Sequence, residues 1–324
     1  MNELVHGALY GTLIATAILS TIAMGIWFER KFAGRMQQRL GPTIVGPAGL
    51  LQPFADIIKL LQKEDIVPRD ADRGLFDLAP ILAVVCSLGV AAVIPFSPSI
   101  IASDLDVGVL WVLGIGGLMV IPTFAAGWGS NNKFALLGAM RAIAQSVSYG
   151  VPLVLAVLVP VVLSGSLSIS GIVAWQAQHH WFAVWPIVPG LPAFVIFFLA
   201  MLAESNRIPF DIPEAESELV AGITTEYTGA KFTLFYMAEY VHTLVGSALG
   251  AALFFGGWDG PFAPGLHWMV LKTLTLFVLI YWVRWSLLRF RADQLMRLCW
   301  TWLTPIGVAL LLVSAAWVTF GGTN

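Results

Sequence analysis

Six carboxylates crowd one stretch of this chain. Residues 204–231, ESNRIPFDIPEAESELVAGITTEYTGAK, carry Glu204, Asp211, Glu214, Glu216, Glu218 and Glu226 against only Arg207 and Lys231. Pro209 and Pro213 bar a regular helix there. Eight residues beyond Lys231, Glu239 falls inside an apolar run. Packed carboxylates repel one another, which raises the proton affinity of some of them. Such groups take up or release a proton near neutral pH when a neighbouring charge changes. The chemistry suggested is proton handling, and the alternative for such a run is a solvated acidic loop. Glu239 weighs against that alternative, because an ionisable side chain at membrane depth costs about 2.5–3.5 kcal/mol and normally faces a cavity or a partner. Arg141, His242, Lys272 and Arg284 also lie in or at the edge of apolar runs, and Glu239 and His242, three apart, share a helix face.

Other chemistries lack their residues. No HExxH, GxSxG, Walker or GxGxxG pattern occurs. Cys86 and Cys299 stand far apart in apolar surroundings, so neither a disulfide framework nor an iron–sulfur or zinc site built by this chain alone is expected. Gly114, Gly116 and Gly117 suit close helix packing rather than phosphate binding. A net charge of −2 offers no basic footprint for nucleic acid.

The elements that must position these groups are membrane helices. Of 324 residues, 58% are hydrophobic and 11% charged, with mean hydropathy +0.83. Soluble domains carry about 25% charged residues, which excludes an ordinary cytosolic enzyme, and disorder requires low hydrophobicity. A spanning helix takes about 20 mostly apolar residues. Eight runs qualify, at 4–28, 79–96, 107–128, 144–163, 186–203, 232–256, 266–288 and 301–320, the second and fifth being short. Residues 1–324 therefore read as one all-α integral membrane domain without an internal repeat. The first run is not a cleaved signal peptide, since Glu3 precedes it and the basic cluster Arg30, Lys31, Arg35 and Arg39 follows it. The positive-inside rule then sets the N-terminus outside. Loops 29–78, 129–143, 204–231 and 289–300 share the inside and hold nearly all Lys and Arg, whereas 97–106, 164–185 and 257–265 hold none. Within the first inside loop, residues 47–63 (PAGLLQPFADIIKLLQK) place Leu50, Leu51, Phe54, Ile57, Ile58 and Leu61 near one face. This predicts an amphipathic helix at the membrane surface, either a plain anchor or a wall of a site open to lipid. Trp27, Trp111, Trp128, Trp185, Trp258 and Trp300, near span ends, read as interfacial belts.

Four stretches, taken in order, resemble one family: ERKFAGRMQQRLGPTIVGPAGLLQPFADIIKLLQKED (29–65), GWGSNNKFALLGAMRAIAQSVSY (127–149), AESNRIPFDIPEAESELVAGITTEYTGAKFTLFYMAEY (203–240) and RFRADQLMRLCW (289–300). The chain is similar to the membrane subunit, called subunit 1 or H, of proton-translocating NADH:quinone oxidoreductase, respiratory complex I. The resemblance covers essentially the whole chain. It implies eight spans with the N-terminus outside, no redox cofactor in this chain, and quinone as substrate. FMN and iron–sulfur clusters would reside in partner subunits. The partners implied are the peripheral-arm iron–sulfur and quinone-site subunits and the neighbouring membrane-arm subunits. The chamber residues implied are Glu29, Arg30, Arg39, Gln52, Phe54, Asp56, Lys59, Arg207, Phe210 and Asp211, with a lipid-side entrance between span one, segment 47–63 and span six. An aromatic and aliphatic wall suits an apolar quinone, while a few polar groups hold its head. Glu204, Glu214, Glu216, Glu218, Glu226 and Glu239 would begin a charged path coupling quinone reduction to proton movement, with Arg284, Arg289, Arg291 and Asp293 as partners.

One position departs from the family pattern. After SVSY the family usually has Glu in the fourth span, and here residue 150 is Gly. Glu204 or a neighbouring subunit would have to compensate. Three alternatives stand beside the complex I reading. A hydrogenase- or formate-linked relative would share the span pattern. A self-contained channel or antiporter would need polar residues running across the spans to the outside, and here they cluster at the inside ends. A pure scaffold would leave the acids beside span six unexplained. The location expected is a bacterial inner membrane, with an organelle inner membrane as the alternative.

Overall fold

The computed structural model describes residues 3–179, 181, 189–214 and 216–320, and the regular elements among them are helices. In chain order they are α1 (Glu3–Met36), α2 (Gln52–Gln62), α3 (Arg73–Ala91), α4 (Gly108–Leu118), α5 (Val120–Gly129), α6 (Lys133–Ser164), α7 (Ile169–Gln178), α8 (Gly190–Glu204), α9 (Glu216–Leu219), α10 (Gly229–Phe254), α11 (Leu266–Ser286), α12 (Ala292–Leu298) and α13 (Thr304–Thr319). Six stretches are long and apolar enough to cross a membrane: Gly7–Met36, α3, α4 with α5, α6, α11, and Ala292–Thr319. α8 is apolar but has 15 residues. α10 has 26 residues and carries Lys231, Glu239 and His242.

Helix ends depart from the hydropathy limits wherever capping chemistry sets them. α6 starts at Lys133, ahead of the expected 144, because Asn132 Oδ1 accepts the Phe134 N–H at 2.8 Å. The stretch KFALLGAMRAIA forms helix readily in spite of Lys133 and Arg141. Residues expected as an inside loop at 129–143 are therefore mostly helix. α3 likewise starts at Arg73 rather than 79, with Asp72 Oδ1 accepting from Gly74 and Leu75 at 3.1 and 3.4 Å. The third run divides at Met119 into α4 and α5, just before Pro122, which has no N–H to bond the Leu118 carbonyl.

The surface helix forms as α2, after a tight turn at Pro47–Gly49. Leu50, Leu51, Phe54, Ile57, Ile58 and Leu61 all stay exposed, so the rest of the chain does not cover its apolar face. α10 is the central post, packed against α1, α2, α3, α8 and α11. Ala238, Ala248, Ala251 and Ala252 are buried along it, and small side chains let helices approach closely. α6 packs against α5, α8 and α13. The glycine expectation holds for one residue of three. A Cβ at Gly116 would meet Glu204 Oε1 at 2.9 Å, whereas Gly114 and Gly117 face open space. Of the tryptophans, Trp258 is buried rather than belt-like, Trp128 and Trp300 are exposed, and Trp185 lies outside the described residues.

Candidate functional site

Four elements converge on one buried charge network. α1 supplies Glu29, α10 supplies Glu239 and Tyr240, α11 supplies Arg284, and the turn after α8 supplies Arg207. Glu29 is 4% exposed. Arg284 Nη1 donates to Glu29 Oε1 at 2.5 Å, and the Tyr240 hydroxyl donates to Oε2 at 2.5 Å. The Arg207 guanidinium lies on the Tyr240 ring, 4.3 Å from its centroid, and its Nε is 3.3 Å from Glu239 Oε1. Two carboxylates and two guanidiniums are thus joined through one tyrosine, and their formal charges cancel. Pairing is required here, because an uncompensated buried charge costs several kcal/mol. Burial of Arg207 works against its charge, but Glu239 and Glu29 outweigh that and keep it protonated.

The connection between α8 and α10 holds Arg207 in place. Gln145 of α6 donates to the Ala203 and Phe210 carbonyls at 2.6 and 3.0 Å. The buried Phe210 ring stacks on Phe290, centroids 5.6 Å apart. Asp211 and Glu214 follow in the same connection. Burial first, and then the negative charges of Glu239 and Asp211, push the Glu214 carboxyl up to about 8, against the pull of Arg207 and Arg284. Glu214 therefore carries a proton at neutral pH, and a change in the neighbouring charges moves it.

A second cluster lies at the junction of α1 and α2. Asp56 accepts from Arg30 Nη1 at 2.5 Å and from Gln52 Nε2 at 3.1 Å, and Lys59 Nζ stands 3.8 Å away. Burial raises the Asp56 carboxyl, but the hydrogen bonds from Arg30 and Gln52 and the charges of Arg30 and Lys59 prevail and hold it below the usual range. Arg30, Arg39, Leu40, Pro42, Ile44 and Gln52 line a surface cavity of about 500 Å³ beside it. Arg39 Nε donates to Gln37 at 2.7 Å. Phe54, 44% exposed, stands on the uncovered face of α2.

The remaining acids do not form one chain. Glu218 takes Arg141 at 2.5 Å and Arg289 at 2.8 Å, and the Arg141 hydrogen bond is the main reason its carboxyl is held low. Arg291 and Asp293 line the same surface cavity as Glu218. Glu226 accepts from Asn132 Nδ2 at 2.5 Å. Glu216 opens α9, and its side chain lies outside the described residues. Glu204 Oε1 lies 3.4 Å from His242 Nε2. Glu239 and His242 thus share a helix but serve different partners. Glu29 and Arg284, expected in separate sets, form one ion pair. Sequence reasoning missed Tyr240, Gln145 and Asn132. It named Lys231 but gave it no role, and that side chain lies 2.8 Å from Asp65 and 2.6 Å from Asp77. Tyr240 had one signal, a hydroxyl next to Glu239 inside an apolar run. Among the described residues, no three His, Cys, Asp or Glu side chains are grouped to hold a metal ion.

The NADH dehydrogenase family model matches residues 10–315, almost the full length. The chain belongs to this family. It is 45% identical over 311 residues to the NADH-quinone oxidoreductase H subunit of Dehalococcoides mccartyi strain CBDB1, covering 96% of this chain and 86% of that relative. The same subunit of Burkholderia vietnamiensis is 45% identical over 318 residues, with 94% and 89% covered. That of Brevibacillus brevis is 45% identical over 313 residues, with 95% and 92% covered. The family expected from the four quoted stretches is the family found.

Proposed function

We propose that this chain is the membrane subunit of a proton-pumping NADH:quinone oxidoreductase. It forms the membrane side of the quinone chamber and the start of the charged path that couples quinone reduction to proton translocation. One observation carries this reading: the buried network Arg284–Glu29–Tyr240–Arg207–Glu239 joins the residues implied for the chamber to those implied for the path. FMN and iron–sulfur clusters in partner subunits supply the electrons.

The chain's own residues respond to the charge. Arg30, Gln52, Asp56 and Lys59, with Arg39, form the polar rim, and Phe54 stands on the lipid-facing wall. Reduction of a quinone to a quinol consumes two electrons and two protons. Negative charge at the head pulls on Arg207 and Arg284, which weakens their hold on Glu239 and Glu29. Glu214, already protonated at neutral pH, is poised to exchange its proton as those charges move. The exposed apolar face of α2 suits a lip at the bilayer surface through which an isoprenoid tail passes. Six long apolar helices with α8 and α10 give eight crossings, the N-terminus outside, in a bacterial inner membrane. The uneven distribution of Lys and Arg supports that orientation.

The test is Glu239→Gln in the intact complex reconstituted into vesicles. Assembly should persist and NADH-driven quinone reduction with proton uptake should fall at least about tenfold, or about 1.4 kcal/mol in the barrier. Wild-type turnover together with wild-type pumping would refute the reading.

A further inference from the structure

One ionisable pair stands apart from the network. Glu204, at the end of α8, and His242, in α10, lie 3.4 Å apart, with side chains 13% and 8% exposed. The Glu204 carboxylate also lines a cavity of about 220 Å³ bounded by α4, α5, α6, α8 and α10. Glycines make the room. Gly117 and Gly150 line the cavity, and a Cβ at either position would meet nothing within 4 Å. On the α6 wall the Ser146 and Tyr149 hydroxyls, 3.5 Å apart, face the same space. A cavity of this size with a carboxylate and two hydroxyls on its wall suits ordered water, which needs two to four polar partners.

We infer that Glu204, His242 and water held beside Gly150 form a second proton-exchange site, in which His242 is the exchange partner of Glu204. A proton passes from Nε2 of the imidazolium to Oε1 of the carboxylate, leaving a neutral imidazole and a carboxylic acid. One N–H bond breaks, one O–H bond forms, and the net charge of the pair stays at zero. Exchange with the wider path runs through the cavity water at Glu204. The titratable group facing the pair from α6 is Tyr149. The lining residues of α4 and α5 are apolar or glycine. Glu239, one turn from His242 on α10, is engaged with Arg207. The site rests on the coupling reading above and adds His242 and the space at Gly150 to it.

The test uses the intact complex in vesicles with four variants. Gly150→Leu fills the cavity from a position with open space around its Cβ, so the fold is kept. His242→Gln keeps an N–H near Glu204 but cannot hold an extra proton. Both should assemble, lose at least about tenfold in quinone-driven proton uptake, and lose one ionisation from the pH profile of turnover that Gly150→Ser retains. Wild-type pumping and an unchanged pH profile in either Gly150→Leu or His242→Gln would overturn the inference. Glu239→Gln separates the two levels. If it is impaired while those two are not, only the second site falls. If none of Gly150→Leu, His242→Gln and Glu239→Gln is impaired, the coupling reading falls as well.

Discussion

At the scale of single residues, the site is a set of charges that burial forces into pairs. Arg284→Met would leave buried Glu29 with Tyr240 alone. Removing one partner of such a pair should destabilise the complex by about 3 kcal/mol, read as a lower midpoint for heat inactivation, with Arg284→Lys restoring part of it. Glu214 gives a pH dependence with a definite sign. Its folded value, about 8, lies above the ordinary 4.5, so its contribution to stability is complete below about 4.5 and is lost as pH rises through about 8. The pH profile of quinone reductase turnover should show an ionisation near 8 that vanishes in Glu214→Gln. Its persistence in that variant would assign it elsewhere. Gly150→Glu tests compensation within the chain. If Glu204 and His242 supply the exchange group, the proton stoichiometry should not change, whereas a gain would show that the position lacks a needed carboxylate.

At the scale of elements, α2 and the connection between α8 and α10 matter most. The exposed face of α2 predicts that Ile58→Asp with Leu61→Asp raises the KM for a long-tailed quinone several-fold while a short-tailed analogue is little affected. Equal effects on both would separate α2 from tail entry. Asn132 caps α6 and also donates to Glu226, so Asn132→Ala should cost about 1 kcal/mol of stability, measured on the detergent-solubilised complex. These elements were partly legible in the sequence. The apolar runs and the amphipathic face of 47–63 are local periodicities, and prolines 209 and 213 forbid a helix by their own chemistry. Helix starts were not legible from hydropathy, because Asp72 and Asn132 cap helices whose first turns are charged. The pairing of Glu29 with Arg284, 255 residues apart, has no local spacing at all. Single residues announced the acids and bases, but only the packing of α1, α10 and α11 decides which of them meet.

At the scale of the whole molecule, the placement of charge predicts sidedness. A tag at residue 324 should be accessible only from the outside in sealed vesicles, and the thiol of an Arg291→Cys variant only from the inside. Labelling from the opposite faces would reverse the orientation and remove the chamber from the inside surface. The proposed eight crossings are the six long apolar stretches together with α8 and α10, and α10 is also the helix that carries Glu239, Tyr240 and His242. The central post of the fold is thus the element on which both proposed proton-exchange sites are built. The most direct measurement is purification through a tag on this chain, followed by NADH-driven quinone reduction in proteoliposomes with proton uptake recorded. A flavin- and iron–sulfur-bearing assembly that reduces quinone with NADH and pumps protons is the predicted result. Recovery of this chain without redox partners, or of an assembly that ignores NADH, would contradict it.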